Sequence, residues 1–441
     1  MGSSNGRIAR PCITHPDTFP RNNIYAKGIR MSVHRICGRM ALVREKAIGL
    51  NNEKKQIMRI LVFDNIGKGH HIEYVHHLYT YAGEMMTNDT FVFVLATELL
   101  HNYKVIDVNK YPNIQVVAIS EEENYQIQRG IFRNWRNWYH DYKLLRKYIK
   151  LYQPEKVILN ALHHFMPFLS FSRIGKGILS GILYIIPGRK PKSRPFINKW
   201  ADEIRLFLYA KGYVFRHVFL LNDAEYPGIY NKKYKTKVFK FLPDPYVDTP
   251  LPATVQTNHV NINTQKKVFL HFGGMGYRKG TFDILKAIEL LNNEDKKKCL
   301  FIFAGVISNP NMHKQFIETV NRLKKEIEIV FIEGFIPFEE LGYLCSITDY
   351  ILVPYKNVEQ SSGVINYAAQ FGKSVIGPTE GLLGYLIEKY HLGYTLKQTN
   401  GKALADFFRG AIDNEHISTI DGNEFIKNAS PENFARIMLN S

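Results

Sequence analysis

Two stretches of the sequence carry residues suited to a phosphate-bearing ligand. The first is YILVPYKNVEQSSGVINYAAQFGKSVIG, Tyr350 to Gly377. Its polar loop places Glu359, Gln360, Ser361, Ser362 and Gly363 between an apolar run that ends at Pro354 and a helical pattern from Val364 to Phe371. A carboxylate and two hydroxyls can bind the hydroxyls of a polar ligand. A helix start offers free N–H groups and a positive end to an anion. Ser361 or Ser362 is expected to cap this helix, and an ordinary capped helix accounts for the same residues. The second stretch follows the strand pattern Val268–Phe272 and reads GGMGYRKGTFDILKAIELL. Gly273, Gly274 and Gly276 make a turn and Lys279 stands where a helix begins, as where chains hold phosphates. The pattern is neither GxxxxGK[ST] nor GxGxxG. A tight turn with a surface lysine is the competing reading.

Histidines form a third group. His70 and His71 follow Gly67 and Gly69 in the loop DNIGKGHH, with Glu73, His76 and His77 on the helical stretch beyond. The order is not HExxH, so a polar loop lining a cleft is a better reading than zinc. His163 and His164 follow the strand pattern Lys156–Leu159. A histidine at a strand tip can serve as a base or contact an acceptor, though most histidines are structural.

These residues need a scaffold, and alternating strand and helix patterns supply one. From Met58 the order is strand, helix, strand, with further strands at Ile114–Ile119, Lys156–Leu159, Ile182–Ile186, Val218–Leu221 and Val238–Leu242. After the Pro-rich exit LPDPYVDTP the alternation starts again at Val268. Two βα-repeating halves predict two Rossmann-like domains facing a central cleft, residues 58–248 and 253–414. Residues 415–441 are expected to form a helical tail that packs back on the first domain. Residues 1–57 lack sustained periodicity and a continuous apolar region. They read as a flexible extension ahead of a natural start at Met58, with a targeting peptide disfavoured by Glu45 and Glu53.

The net charge of +18 calls for an anionic partner: nucleic acid, a membrane surface or a phosphorylated substrate. Nucleic acid is not expected, since no RNP, KH or helix-turn-helix signature is present. The stretch Trp135–Tyr152 interleaves Arg136, Lys143, Arg146, Lys147 and Lys150 with aromatic and aliphatic residues. It reads as a solvated surface helix or as a contact for anionic lipid. No apolar run has the roughly 18 residues of a spanning helix. The four scattered cysteines have no metal-ligand spacing and fit a reducing compartment.

FGGMGYRKG, FIFAG, FIEGFIPFEEL, ITDYILVPY and EQSSGVINYAAQFGKSVIG occur in that order between Phe272 and Gly377. This series resembles the retaining glycosyltransferases of family four, which have the GT-B fold; residues from Met58 onward resemble them more loosely. The resemblance implies a cytoplasmic enzyme, peripheral at most to the membrane's inner face, that acts in polysaccharide biosynthesis such as capsule or lipopolysaccharide. A nucleoside-diphosphate sugar would be held by the second domain and a glycan or polyprenyl-linked acceptor by the first. Transfer would retain configuration and use no metal or other cofactor.

Lys279 matches the family lysine on the donor diphosphate, and Glu359 the first Glu of a Glu, seven residues, Glu pattern that holds sugar hydroxyls. Ser361, Ser362 and Gly363 would face the diphosphate and sugar, Gly334, Phe335 and Ile336 the base, and Gly67 and Gly69 the donor from the first domain. Two departures stand out. Gly274 occupies the place of a family arginine, for which Arg278 or the amides of the glycine turn would substitute. Tyr367 occupies the place of the second Glu, and a phenol cannot clamp two ribose hydroxyls as a carboxylate does. Two other readings keep the fold: a sugar-nucleotide epimerase, and a weakened donor- or glycan-binding relative.

Overall fold

A computed structural model describes residues 57–441 except 68–69, 102–105, 121, 124–134, 192, 249–264 and 357. The sequence readings on residues 1–56 and Gly69 lie outside the described residues. Ile57–Ser441 is one compact unit built on two parallel sheets.

The first sheet contains β1 (Arg59–Asp64), β2 (Thr90–Ala96), β3 (Ile114–Ile119), β4 (Lys156–Leu159), β5 (Leu179–Leu183), β6 (Phe215–Leu221) and β7 (Phe239–Leu242), in the order β3-β2-β1-β4-β5-β6-β7. The second contains β8 (Lys267–Gly274), β9 (Cys299–Val306), β10 (Glu328–Glu333), β11 (Tyr350–Leu352), β12 (Ser374–Pro378) and β13 (Gly393–Leu396), in the order β10-β9-β8-β11-β12-β13. Runs such as FVFVLA and CLFIFAGV are apolar without alternation because helices cover both faces of each sheet. One apolar cluster draws on both sheets, and a further cluster fills the other face of each. The chain is thus α/β with the GT-B arrangement.

Strand order reverses between β1 and β4 and again between β8 and β11. Open α/β sheets bind ligands at such switch points, outside the carboxyl ends of the strands. The loops that leave β1, β4, β8 and β11 are the four that carry the histidines, the glycine turn and Glu359.

The chain crosses between the domains twice. Going out, Asn366 Nδ2 of the helix Val364–Gln370 donates to the Pro245 carbonyl at 3.1 Å, and Gln370 Nε2 to that of Val247 at 3.0 Å. On the return, the helix Asn423–Asn428 still packs on Val364–Gln370, and only Pro431–Asn440 lies on the helix His71–Met85 of the first domain. Its Phe434, Ala435, Met438 and Leu439 are buried in the first domain's core. Lys156 Nζ donates to the Leu439 carbonyl at 2.6 Å.

Candidate active site

The loop after β8 is held from within. His271 on β8 is buried, with Nδ1 2.9 Å from the Leu352 carbonyl and Nε2 3.0 Å from Thr281 Oγ1. A carbonyl only accepts, so Nδ1 carries the proton; Nε2 accepts from the Thr281 hydroxyl, and Thr281 Oγ1 accepts from the Gly276 N–H at 2.9 Å. Burial pushes the His271 pKa down to about 4, against the bond to the Leu352 carbonyl and with the charge on Lys279. This neutral ring links the glycine turn, the following helix and β11. Four further amides of the loop, those of Met275, Lys279, Gly280 and Thr281, donate to backbone carbonyls. With these five amides engaged, a charged side chain becomes the turn's main candidate for holding a phosphate.

Lys279 is that side chain. Its Nζ lies 3.6 Å from the centroid of the buried Tyr355 ring, just past β11. Burial, helped by the neighbouring Arg278, lowers its pKa to about 7. A partly desolvated ammonium on an aromatic face is poised to gain from an arriving anion. Arg278 is exposed beside it. The turn packs tightly on β11, since a Cβ on Gly280 would lie 2.2 Å from the Pro354 carbonyl oxygen.

Glycine marks the tips of three adjacent strands. Gly273, Gly305 and Gly334 have φ of +96°, +142° and +115°. A Cβ on Gly305 would meet the Gly273 oxygen at 2.0 Å, whereas Cβ atoms on Gly273, Gly274 and Gly334 would enter open space. Beyond Gly334, Phe335 is 74% exposed and stacks edge-on with Phe338, while Ile336 is partly buried against the core.

The serines after Glu359 do not cap the helix. Gly363 is its N-cap, and the first-turn amides of Ile365 and Asn366 donate to the Ser362 and Gly363 carbonyls. Ser362 Oγ contacts the Tyr355 hydroxyl at 3.4 Å. Ser361 Oγ reaches the other domain instead, donating to Asp244 Oδ2 at 2.8 Å and accepting from Asn222 Nδ2 at 2.8 Å. The inward pull comes from a buried carboxylate that also accepts from the Tyr74 hydroxyl. Burial raises the Asp244 pKa, opposed by the charge on His70 and by these hydrogen bonds.

Glu359 is half-buried, its backbone carbonyl accepting from Ile186 N of the first domain at 3.4 Å. Glu359 lines an open cavity of about 360 Å³ together with Lys190, Arg194 and Arg205 of the first domain. Tyr367 turns its ring edge-on to Phe272 at 5.6 Å and packs on the core, so an aromatic body stands where the resemblance expects a carboxylate.

On the first-domain side, a Cβ on Gly363 would sit 3.6 Å from His70 Cε1, placing His70 across the cleft from the helix start. Its Nδ1 is 3.9 Å from Glu73, and that partner raises its pKa against the effect of burial. His71 faces inward: its Nδ1 is 2.7 Å from Asp64 Oδ2, which also accepts from Asn160 Nδ2 at 2.8 Å. Next to them is Tyr184, with ring centroids 5.9 Å from His71 and 6.4 Å from His163; the rings of His163 and His164 lie 3.8 Å apart, tilted by 42°. Tyr184 also stacks on Tyr74 at 6.3 Å. Polar and aromatic groups thus run without a break from Asp64 through His71, Tyr184, Tyr74 and Asp244 to Ser361. Gly67 has a packing reason to be glycine: a Cβ there would lie 2.6 Å from Glu98 Cβ. The sequence reading missed His271, Thr281, Asn222 and Asp244. Only DPY after a strand, with Pro on both sides of Asp244, hinted at a fixed position.

Residues 254–430 match the family model of glycosyl transferases group 1. The second domain is thus similar to the group 1 glycosyl transferases. The match ends just before Pro431–Asn440, the helix that lies on the first domain. A glycosyltransferase from Rickettsia africae is similar in structure at 17% identity, with a TM-score of 0.58 over 87% of this chain and 97% of its own. Anabaena Alr3699/HepE, solved in complex with UDP and glucose, is 14% identical, with a TM-score of 0.54 over 86% and 95%. Sucrose-phosphate synthase from Thermosynechococcus elongatus is 13% identical, with a TM-score of 0.60 over 86% and 97%. No curated protein matches the chain in sequence. Among the described residues, no group of three or more His, Cys, Asp or Glu could hold a metal ion, and no helix is long and apolar enough to cross a membrane.

Proposed function

We propose that this glycosyltransferase moves a hexosyl group from a nucleoside-diphosphate sugar to a glycan or lipid-linked acceptor, with retention and without a metal, in polysaccharide biosynthesis. The observation that carries the reading is the placement of Lys279 and Glu359 on the two loops flanking the switch point of the second sheet. Lys279 offsets charge gathering on the leaving diphosphate, the electrostatic stabilisation such a transfer needs most. Arg278 adds a second cation at the rim. Glu359 accepts hydrogen bonds from sugar hydroxyls, and the open strand tips at Gly273 and Gly334 leave room for the nucleotide, with Phe335 beside its base. His70, His163 and His164 approach from the first domain, where an acceptor hydroxyl would lose its proton. The HepE complex with UDP and glucose supports a nucleotide-sugar donor. Tyr367 favours one second reading, a relative with weakened ribose binding.

Turnover of a panel of nucleoside-diphosphate sugars tests the reading. Lys279→Ala should lower turnover by roughly 10²–10³, and Glu359→Ala should weaken sugar discrimination. If no donor is turned over or bound and neither variant changes the melting response to donors, the proposal fails.

Membrane contact belongs to the same reading but rests on a different helix from the one the sequence singled out. Phe196–Lys211 exposes Phe196, Ile197, Trp200, Ile204 and Phe207, each between 47% and 78% accessible. The turn Phe168–Phe171 packs beside it, with Phe171 73% exposed. An aromatic stripe of this kind on a strongly basic chain suits an anionic lipid interface. Trp200→Ser with Phe207→Ser should reduce co-sedimentation with anionic phospholipid vesicles and leave the melting temperature unchanged. Equal vesicle binding by this variant and wild type would refute the contact.

A further inference from the structure

The cavity beside Glu359 has a chemistry that the donor does not use. Its first-domain wall comes from the basic loop after β5 and from the start of the helix Phe196–Lys211: Lys190, Arg194, Asn198, Asp202 and Arg205. Lys190 Nζ lies 2.9 Å from Asp202 Oδ2, Arg205 Nη1 3.0 Å from Oδ1, and Arg194 Nη1 also donates to Oδ2. Asp202 is buried, and the hydrogen bonds from Lys190 and Arg194 outweigh the desolvation of its carboxyl, so it stays ionised. Three cations around one carboxylate leave two positive charges on this wall. Glu359 supplies one negative charge on the facing wall, and no hydrogen bond or ion pair to its carboxylate occurs among the described residues.

We infer that this cavity holds an anionic group of the acceptor, a phosphate or a carboxylate, and so selects acceptors that carry one. Several observations carry the inference together. At about 360 Å³ the space falls within the range of small-molecule sites, roughly 300–1,000 Å³. Guanidinium groups match phosphate and carboxylate in a fork geometry, and Asp202 holds both arginines in place before a ligand arrives. Asn198 adds a neutral hydrogen-bonding group to the same wall. The position matters as much as the charge. Glu359 forms the opposite wall, so an anion held by Arg194 and Arg205 fixes the rest of the acceptor next to the donor sugar. The anion anchors and does not react. The exposed apolar stripe occupies a different side of the same helix, so a lipid phosphate and a glycan carboxylate would approach the cavity from different directions.

The assignment of the anion to an acceptor rests on the glycosyltransferase reading, and the experiment separates the two. The full chain is titrated by calorimetry with inorganic phosphate, an isoprenyl monophosphate and a uronic-acid disaccharide, and with an isoprenol and a neutral disaccharide as uncharged counterparts. Arg205→Gln is the main variant, because Arg205 is the most exposed of the three cations and its loss leaves Asp202 paired with Lys190 and Arg194. Arg205→Lys guards against misfolding, and Lys279→Ala removes the diphosphate contact. An anionic probe should bind while its uncharged counterpart does not. Arg205→Gln should weaken that binding roughly tenfold, Arg205→Lys should restore part of it, and the Arg205-dependent part should persist in Lys279→Ala. Preference for the isoprenyl phosphate would identify a lipid carrier, and preference for the uronate an acidic glycan. Unchanged binding in Arg205→Gln, equal binding of charged and uncharged probes, no binding of any probe, or loss confined to Lys279→Ala would each overturn the inference. Absent donor turnover with the anion site intact would instead remove the glycosyltransferase reading and leave the site standing.

Discussion

The two sheets share their central strand order but differ in what stands at their carboxyl ends. The second sheet ends in glycines: Gly273, Gly305 and Gly334 tip three neighbouring strands. The first ends in groups that titrate or hydrogen-bond: Asp64, Asn160, His163, His164, Tyr184, Asn222 and Asp244. One scaffold therefore offers two kinds of surface. A bare tip with a single desolvated lysine suits a ligand that brings its own charge and bulk. A tip crowded with imidazole, phenol and carboxylate suits positioning and proton transfer. The domains also satisfy their polar groups differently. In the second, His271 and Thr281 close the glycine turn on itself. In the first, Asp244 turns outward and is completed by Ser361 of the other domain.

Breaking Asp244 tests that difference, and the largest stability effect is expected there. Asp244→Ala leaves the buried Tyr74 hydroxyl and the half-buried Ser361 hydroxyl without their acceptor, a loss of about 1–3 kcal/mol for the buried group and less for the other. Asp244→Asn keeps an acceptor oxygen and should cost less. Neither replacement titrates, so each also separates from wild type by pH. The folded-state pKa of Asp244 is raised, so the folded chain holds this proton more tightly than the unfolded chain does. Its contribution is fully present below the ordinary carboxylate pKa and declines as pH rises through the raised value. The stability gap between wild type and Asp244→Asn should therefore narrow from pH 4 towards neutrality, as read by denaturant midpoints. A gap that widens over that range would show that the carboxylate is stabilised at the domain junction.

Much of this arrangement was legible in the sequence, and what was missed has physical causes. Parallel strands covered on both faces read as unbroken apolar runs, so β1, β2, β8 and β9 stood out at once. Gly273, Lys279 and Glu359 could be found because a turn, a helix start and a strand tip each leave a local pattern. The helix Phe196–Lys211 left none: it buries Leu206, Tyr209 and Ala210 on one side and exposes Phe196, Trp200 and Phe207 on another, so no single apolar stripe marks it. Ser361 looked like a cap because a serine before a helical pattern usually is one. Its true partner, Asp244, lies more than a hundred residues away, and no local pattern records a contact across domains. His271 was hidden for the opposite reason, as one polar residue in the apolar strand KVFLHFGG. Its hydrogen bonds reach β11 and the next helix, and neither is readable from its neighbours in sequence.

A smaller effect sharpens the contrast from the donor side. Burial lowers the Lys279 pKa to about 7 in the free protein, so deprotonation of this amine competes with anion binding as pH rises above neutrality. A donor diphosphate favours the ammonium, and binding above pH 7 must therefore be accompanied by proton uptake. Donor affinity should be level below pH 7 and fall by up to about tenfold per pH unit above it, until the pKa of the complex is reached. Calorimetry at pH 8.5 in buffers of different ionisation enthalpy reads the uptake directly. Lys279→Arg keeps its charge throughout this range and should bind donor with a flat pH profile, even if its wider head lowers the affinity. His70 on the facing domain gives the control: its raised pKa adds positive charge there as pH falls, so a rise in donor affinity below pH 7 would trace to it and not to Lys279. If Lys279→Arg keeps the wild-type slope above pH 7, the titrating group belongs to the first domain, and charge recognition is shared across the cleft.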